Sequence, residues 1–205
     1  STTVSADSPE FVSVGRDLGR PILRVDGQLM TGTSPEPVSI AEPDPSQAFL
    51  DALQATLQAQ GIDVQQTIAS ESLTENPWQE LAVVESPTLA ALLQPTNQNS
   101  NNLYAEALLK TLGSQQPNAT DATEAGIAIA LQTLATLGLD PQTVVMVDGS
   151  GLARKNLITP AAIVNVLQGM ARSPNADVYR ESLAVAGVSG TLRNRLQNTP
   201  AAENV

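Results

Sequence analysis

The sequence predicts an α+β protein with more helix than strand. Its 205 residues are 41% hydrophobic, enough for a packed core in one large domain or two small ones. Short β-like runs separated by glycines occupy residues 10–41, whereas capped helical patterns dominate after about Glu85. We therefore expect the architecture to change near residue 84, with residues 1–84 in one unit and 85–205 in another.

The first segment is expected to hold two or three antiparallel strands, from β-like runs at residues 11–14, 22–25 and 38–41. The stretch Asp44-Pro45-Ser46-Gln47 offers an N-cap, a proline at the first helical position and a glutamine at the capping-box position. It predicts a helix that Gly61 ends. A further strand-like run covers residues 81–84.

The second segment is expected to be mainly helical. The predicted helices are one opened by Ser86-Pro87, one over 102–112 closed by Gly113, one over 122–137 closed by Gly138, and one capped by Thr159 with Ile163, Leu167 and Met170 on its inner face. The apolar, β-branched run 143–147 predicts a buried strand that leads into Asp148-Gly149-Ser150-Gly151.

Composition excludes several classes of function. The formal charge of −11 opposes binding to phosphate backbones, so no nucleic-acid partner is expected. Without His and Cys, a Ser/His/Asp triad, a thiol nucleophile and a cysteine-ligated metal are impossible. We expect no cofactor or metal. No transmembrane segment is expected either, because no apolar run approaches the roughly 18 residues that a span requires.

The first candidate site is Ser100-Asn101-Asn102. Ser and Asn are the usual helix N-caps, so the spacing alone favours a polar loop that caps a helix. The same three-residue pattern recurs at Ser173-Pro174-Asn175, where it predicts an ordinary turn. The pattern alone is therefore weak evidence for a functional site.

The second candidate is the glycine-flanked Ser150. An activated-serine elbow has glycines two residues from the serine on both sides, whereas Gly149 and Gly151 lie one residue away. With no histidine in the chain, the esterase interpretation fails. We predict that Ser150 is a turn residue and that the two glycines supply positive φ angles.

Longer segments, in order, carry more information than either motif alone. They are SNNLYAEALLKTLG at 100–113, VDGSGL at 147–152 followed by RKNL and TP, and GTLRNR at 190–195 followed by TPAA. They resemble the class C penicillin-binding proteins, which are D-alanyl-D-alanine carboxypeptidases/endopeptidases. The resemblance covers essentially the whole chain, and it is strongest after Glu85.

This resemblance implies a serine peptidase that uses the motifs S-x-x-K, S-x-N and K-T-G. Ser100 matches the proton-relaying serine of S-x-N, and Asn102 matches its substrate-binding amide. Arg154, beside a glycine-rich turn, is predicted to bind a substrate carboxylate, with a solvated surface arginine as the alternative. The implied partners are peptidoglycan stem peptides and β-lactams, and the implied location is the cell envelope, the periplasm or outside the cell.

The chain lacks two of the three motifs. Neither Lys110 nor Lys155 follows a serine by three residues or precedes Thr-Gly. We therefore expect an internal fragment that is inactive by itself, with residues 1–84 from inserted non-catalytic domains and 85–205 from the transpeptidase-like domain of a penicillin-binding/β-lactamase-like fold. The alternative is a non-enzymatic binding or scaffold module that retains the fold.

Overall fold

The computed structural model describes residues 2–4, 9–17, 22–34, 37–69 and 82–204. It contains helices and small sheets, which confirms the α+β prediction. The chain divides into two compact units, Ser1–Glu80 and Leu81–Val205. The assignment of residues 1–84 and 85–205 to different domains of a larger enzyme stays a prediction.

A three-stranded sheet forms the beginning of the first unit. Its strands are β1 (Thr2–Val4), β2 (Phe11–Arg16) and β3 (Leu23–Met30), in the order β1-β3-β2. β2 runs antiparallel to β3 with Phe11 opposite Gln28, as expected for a hairpin. β1 was not predicted, and it lies parallel to β3. The prediction of two antiparallel strands is therefore confirmed by β2 and β3, and β1 is an additional, parallel strand.

Two other predicted strands are not observed. Residues 38–41 are not in a strand, and the flanking Pro37 and Pro43 explain why, since a proline has no N–H to donate to a ladder. Of the predicted strand at 81–84, Leu81 lies outside the described residues, and residues 82–84 form no regular structure.

Helix α1 (Pro45–Ala59) begins where the sequence predicts. The Asp44 side chain accepts a hydrogen bond from the Gln47 N–H at 3.0 Å. The predicted capping-box role of Gln47 is wrong, because its amide donates to Asp51 while the Asp44 N–H donates to Glu42. One N-cap contact and the proline at the first position are therefore sufficient to start the helix.

Two helices end at glycines as predicted. Gly61 and Gly138 have φ angles of 81° and 96°, in the left-handed region that favours glycine. Each sits just after the C-cap of its helix, where the N–H of the following residue reaches back to a carbonyl in the last turn. After Gly138, Leu139 is only 3% exposed, so this helix end is also packed.

The second unit is mainly helical. Its elements in chain order are α2 (Leu89–Gln98), α3 (Asn102–Ser114), α4 (Ala122–Thr136), a 3-10 turn (Pro141–Thr143), β4 (Val144–Val145), β5 (Leu157–Ile158), α5 (Pro160–Ala171), α6 (Ala176–Ser182) and a second 3-10 turn (Gly190–Leu192). α2 begins three residues after Ser86, because Thr88 is its N-cap. No helix in the described ranges is long and apolar enough to cross a membrane.

Helices α3 and α4 pack closely because glycines lie where they meet. Gly113 does not end α3 as predicted; it is buried inside the helix, and a Cβ there would collide with the Ala122 carbonyl oxygen. At Gly126, a Cβ would collide with the carbonyl oxygen of Leu109, which is 5% exposed. Both glycines therefore serve close backbone approach.

The strand predicted at 143–147 is shorter and less buried than expected. The Asp140 side chain accepts the Gln142 N–H at 2.9 Å and starts a 3-10 turn that includes Thr143. At the other end, the Val147 N–H donates to the Asn156 side chain at 2.8 Å. Side-chain acceptors therefore replace the ladder, and only Val144–Val145 pairs with β5.

The prediction of which residues form the inner face of α5 is also partly wrong. The N-cap Thr159 is confirmed, but Ile163 and Leu167 are each 45% exposed. The buried positions of α5 are Ala162 and Gly169. A Cβ at Gly169 would collide with Leu137, so small residues, not the large apolar ones, face the neighbouring helix end.

Gly113→Ala tests the close approach of α3 and α4. Although alanine favours helix by about 1 kcal/mol, the collision with Ala122 should lower the free energy of unfolding by about 2 kcal/mol or more. The control is Ser114→Ala, an exposed position of the same helix, which should change it by less than about 0.5 kcal/mol. Urea unfolding followed by circular dichroism measures both. Equal stability of the two variants would contradict the packing described.

Candidate functional site

The first candidate motif lies at the junction between α2 and α3, where one of its three residues caps a helix and the other two do not. The Asn101 side chain accepts the Tyr104 N–H at 3.1 Å and is the N-cap of α3. Ser100 precedes it with a φ of 55°, in the left-handed region. Asn102 is the first residue of the helix. The capping interpretation is therefore right for Asn101 and for neither of its neighbours.

The other two polar side chains of this motif are available to a ligand. Ser100 is exposed, and Asn102 is partly buried. Among the described residues, no side-chain hydrogen bond engages the Ser100 hydroxyl or the Asn102 amide. A left-handed serine costs about 1 kcal/mol or more, so the bend holds Ser100 at some expense in stability.

The second candidate segment is a turn held by one carboxylate. Asp148 accepts hydrogen bonds from the Gly151 and Ala153 N–H groups, both at 2.7 Å, and from the Asn156 side chain at 2.8 Å. Burial raises the pKa of Asp148, but the hydrogen bonds from Asn156 and the backbone outweigh it and hold that pKa below its usual value. The turn is therefore stabilised by an ionised aspartate.

Ser150 lies in this turn, as predicted, but its two glycines differ in role. Gly151 has a φ of 77° and meets the expectation of positive φ. Gly149 does not; it is required for close approach, because a Cβ there would lie 2.7 Å from the Ala105 carbonyl oxygen. The prediction of positive φ is right for Gly151 and wrong for Gly149.

Sequence analysis missed Glu106, which joins the turn to α3. Its carboxylate oxygen Oε1 accepts the N–H groups of both Gly149 and Ser150, each at 3.1 Å. The available signal was that Glu106 is the single acidic residue between Glu85 and Asp121. An isolated carboxylate on a partly buried helix face requires donors, and here backbone N–H groups supply them.

Arg154 is exposed and directly follows Ala153, whose N–H is bound by Asp148. Among the described residues it forms no ion pair; the pairs there join Arg24 to Asp17 and Arg180 to Asp177. Arg154 is therefore attached to an ordered turn, with its guanidinium open to solvent.

The end of α2 is fixed just before Ser100. The Asn97 amide donates to the Ser182 hydroxyl at 2.7 Å, and Ser182 is only 1% exposed. The Gln98 side chain donates to the Glu181 carbonyl at 3.3 Å. A Cβ at Gly190 would collide with the Gln98 carbonyl oxygen, so this glycine permits close approach. The start of the candidate site is therefore anchored to α6 and to the segment near residue 190.

Glu106 joins α3, the helix that begins at Asn102, to the turn that precedes Arg154 in the chain. Ser100 and Asn102 lie at the start of α3, whereas Arg154 lies three residues after the turn at 148–151 that Glu106 binds. No group of three or more Asp, Glu, His or Cys residues within the described ranges could hold a metal ion.

Comparison with known proteins finds one family whose profile covers the chain. The profile of the D-Ala-D-Ala carboxypeptidase 3 (S13) family matches residues 1–205. A penicillin-sensitive carboxypeptidase A of Dictyostelium discoideum is 38% identical over 165 residues, covering 77% of this chain and 31% of that protein. A D-alanyl-D-alanine carboxypeptidase of Actinomadura sp. strain R39 is 30% identical, covering 100% of this chain and 39% of that protein. The chain thus spans less than half the length of these relatives.

The fold is also found in solved structures. The crystal structure of penicillin binding protein 4 (dacB) from Haemophilus influenzae, complexed with a novel β-lactam, matches with a TM-score of 0.71 at 26% identity. The match covers 96% of this chain and 45% of that one. A second structure of that protein, described without the ligand, matches with the same TM-score at 27% identity.

The left-handed Ser100 predicts an unusual order of stabilities. Ser100→Gly should be more stable than Ser100→Ala by about 1 kcal/mol, because glycine adopts positive φ without strain. At Thr111, an exposed position within α3, the order should reverse, with Ala more stable than Gly by about 1 kcal/mol. Urea unfolding of the four variants measures both differences. If Ala is more stable than Gly at position 100 as well as at position 111, Ser100 is not left-handed in solution.

Proposed function

This chain belongs to the D-Ala-D-Ala carboxypeptidase 3 (S13) family, and we propose that it supplies the S-x-N element of a serine-type D-alanyl-D-alanine carboxypeptidase/endopeptidase. The proposed substrates are peptidoglycan stem peptides, and penicillin acylates the enzyme as a substrate analogue. Two relatives are named as a penicillin-sensitive carboxypeptidase and a D-alanyl-D-alanine carboxypeptidase, which supports the carboxypeptidase part of the proposal. Because the substrate lies in the cell wall, the proposed location is the cell envelope, the periplasm or outside the cell.

One observation carries the proposal. Asn101 alone caps α3, and among the described residues no side-chain hydrogen bond engages the flanking Ser100 hydroxyl or the Asn102 amide. In an ordinary polar loop, the serine would be expected to serve the helix start itself. A strained serine beside an unengaged amide instead supports a pair kept for a ligand.

The proposed reaction begins outside this chain. The hydroxyl of an S-x-x-K serine attacks the carbonyl carbon between two D-alanines, and the motif lysine accepts the hydroxyl proton. The C–N bond then breaks, leaving an acyl ester on that serine. Ser100 relays the proton from the lysine to the departing D-alanine amine, and water later hydrolyses the ester. Asn102 donates from its amide to a backbone carbonyl of the substrate.

Arg154 is proposed to bind a carboxylate of the stem peptide. Its planar guanidinium can receive a carboxylate through two parallel hydrogen bonds. The ordered turn supports this role, because the Ala153 N–H bond to Asp148 restrains the backbone next to Arg154. Six of the ten basic residues of this acidic chain lie between 154 and 195, which favours anionic ligands in this part of the sequence.

The proposed role of Ser100 is tested by acylation with fluorescent penicillin. In a protein that carries this chain together with the S-x-x-K and K-T-G motifs, Ser100→Ala should slow labelling by roughly 10²- to 10⁴-fold, the range for a positioned proton-transfer group. Stopped-flow fluorescence gives the rate, and circular dichroism checks the fold. Ser173→Ala is the matched control, since that serine also begins an S-x-N pattern but lies in a turn; it should label at the unsubstituted rate.

The 205 residues alone should not be labelled, because they contain no S-x-x-K. Intact mass after incubation with penicillin reports this directly. A stoichiometric mass increase on this chain would place the nucleophile within it and refute the assignment. If the longer protein is not labelled either, the chain is better described as a non-enzymatic module that retains the family fold.

The role of Arg154 is tested by substrate choice. In the longer protein, Arg154→Ala should raise KM roughly tenfold for peptides with a free side-chain carboxylate, because a charge-assisted hydrogen-bonded pair is lost. Peptides with an amidated side chain should be affected much less. Lys155→Ala, the adjacent exposed cation, is the control and should alter neither KM. Equal effects of Arg154→Ala on both peptides would remove Arg154 from the site.

A further inference from the structure

We propose that Glu106 is a positioning residue whose carboxylate fixes the turn at 148–151, and with it Arg154, relative to Ser100 and Asn102. The bridge itself stands on the geometry of this chain. Its consequence for substrate binding rests on the proposed function.

The contacts of Glu106 are specific to the turn. One carboxylate oxygen accepts two successive backbone N–H groups, those of Gly149 and Ser150, at 3.1 Å. The turn itself is already held by the three hydrogen bonds that Asp148 accepts. Glu106 is therefore not required to form the turn, and its two bonds instead set where the turn lies on α3.

Steric contact defines the same position. A Cβ at Gly149 would lie 2.7 Å from the Ala105 carbonyl oxygen and 3.1 Å from Leu109 Cβ. The turn thus rests directly on the helix backbone, next to the residue that carries the carboxylate. Leu109 is 5% exposed and also packs against Gly126 of α4, so the part of α3 beneath the turn is held by packing.

Helix geometry extends this position to the candidate motif. Asn102 and Glu106 are four residues apart in α3, so they share one face and are separated by about 6 Å along the axis. The turn is therefore anchored one helical turn from Asn102. Arg154 follows through Ala153, whose N–H is bound by Asp148.

Hydrogen exchange on this chain tests the bridge without any requirement for activity. In Glu106→Ala, the Gly149 and Ser150 amides should exchange at least about tenfold faster, because each loses a charged acceptor. In Glu106→Gln, the amide oxygen can still accept, and most of the protection should return. Glu124→Ala, at an exposed carboxylate in the first turn of α4, should leave both amides unchanged.

Exchange of the Gly151 and Ala153 amides shows whether the turn itself survives. These bonds to Asp148 should persist in Glu106→Ala, which distinguishes a displaced turn from an unfolded one. Unchanged protection of Gly149 and Ser150 in that variant would overturn the proposal. Loss of protection at all four amides would also overturn it, since Glu106 would then be needed for the turn to form.

Kinetics in the longer protein test the consequence for binding. Glu106→Ala should raise KM for peptides with a side-chain carboxylate roughly tenfold, as Arg154→Ala does, and Glu106→Gln should restore most of the affinity. The double variant Glu106→Ala/Arg154→Ala should have a KM for these peptides no higher than that of Arg154→Ala alone, because the glutamate acts through the arginine. Additive effects, or an unchanged KM, would overturn the positioning role. An unsubstituted protein without activity would refute the proposed function, while the exchange rates would still decide the bridge.

Discussion

The arrangement of the second unit depends on how closely other backbone segments approach helix α3. Glycines occur at each close approach: Gly113 and Gly126 where α4 packs, and Gly149 where the turn after β4 rests on the helix. At each of them, a single added carbon would collide with a carbonyl oxygen. The absence of these Cβ atoms therefore determines how α3, α4 and the turn pack together.

Close approach also decides which polar groups must be satisfied. A turn that rests on a helix places its N–H groups against protein, where leaving them unbound would cost free energy. Glu106 supplies the acceptor for Gly149 and Ser150, and Asp148 supplies it for Gly151 and Ala153. Two carboxylates thus satisfy four backbone donors, which keeps an irregular segment ordered without a long strand.

The conformation of the candidate site also depends on contacts between segments that are distant in the chain. α2 is attached at Asn97 to the buried Ser182, and α3 starts at an N-cap supplied by Asn101. The short bend between these fixed ends forces Ser100 into a left-handed conformation. In this conformation the Ser100 side chain is exposed.

The sequence alone determined the elements whose signals are local. The N-caps Asp44 and Thr159 and the terminating glycines Gly61 and Gly138 act through neighbouring residues, so their roles could be predicted without a fold. The same holds for the missing histidine, which excludes a Ser/His/Asp triad. The ordered segments from 100 onward were sufficient to predict the family and to select Ser100, Asn102 and Arg154 as candidates.

Only the tertiary structure decided what depends on distant partners. Gly113 looked like a helix end but serves a helix contact, because the residue it meets, Ala122, lies beyond a loop. The run 143–147 looked like a buried strand, but Asn156 takes the N–H that a ladder would use. Glu106 stood out in the sequence only as an isolated carboxylate, and its role could not be predicted because its donors are 43 and 44 residues away. Sequence patterns record what neighbours along the chain do, whereas close approach and hydrogen-bond satisfaction are settled between segments that meet only in the folded protein.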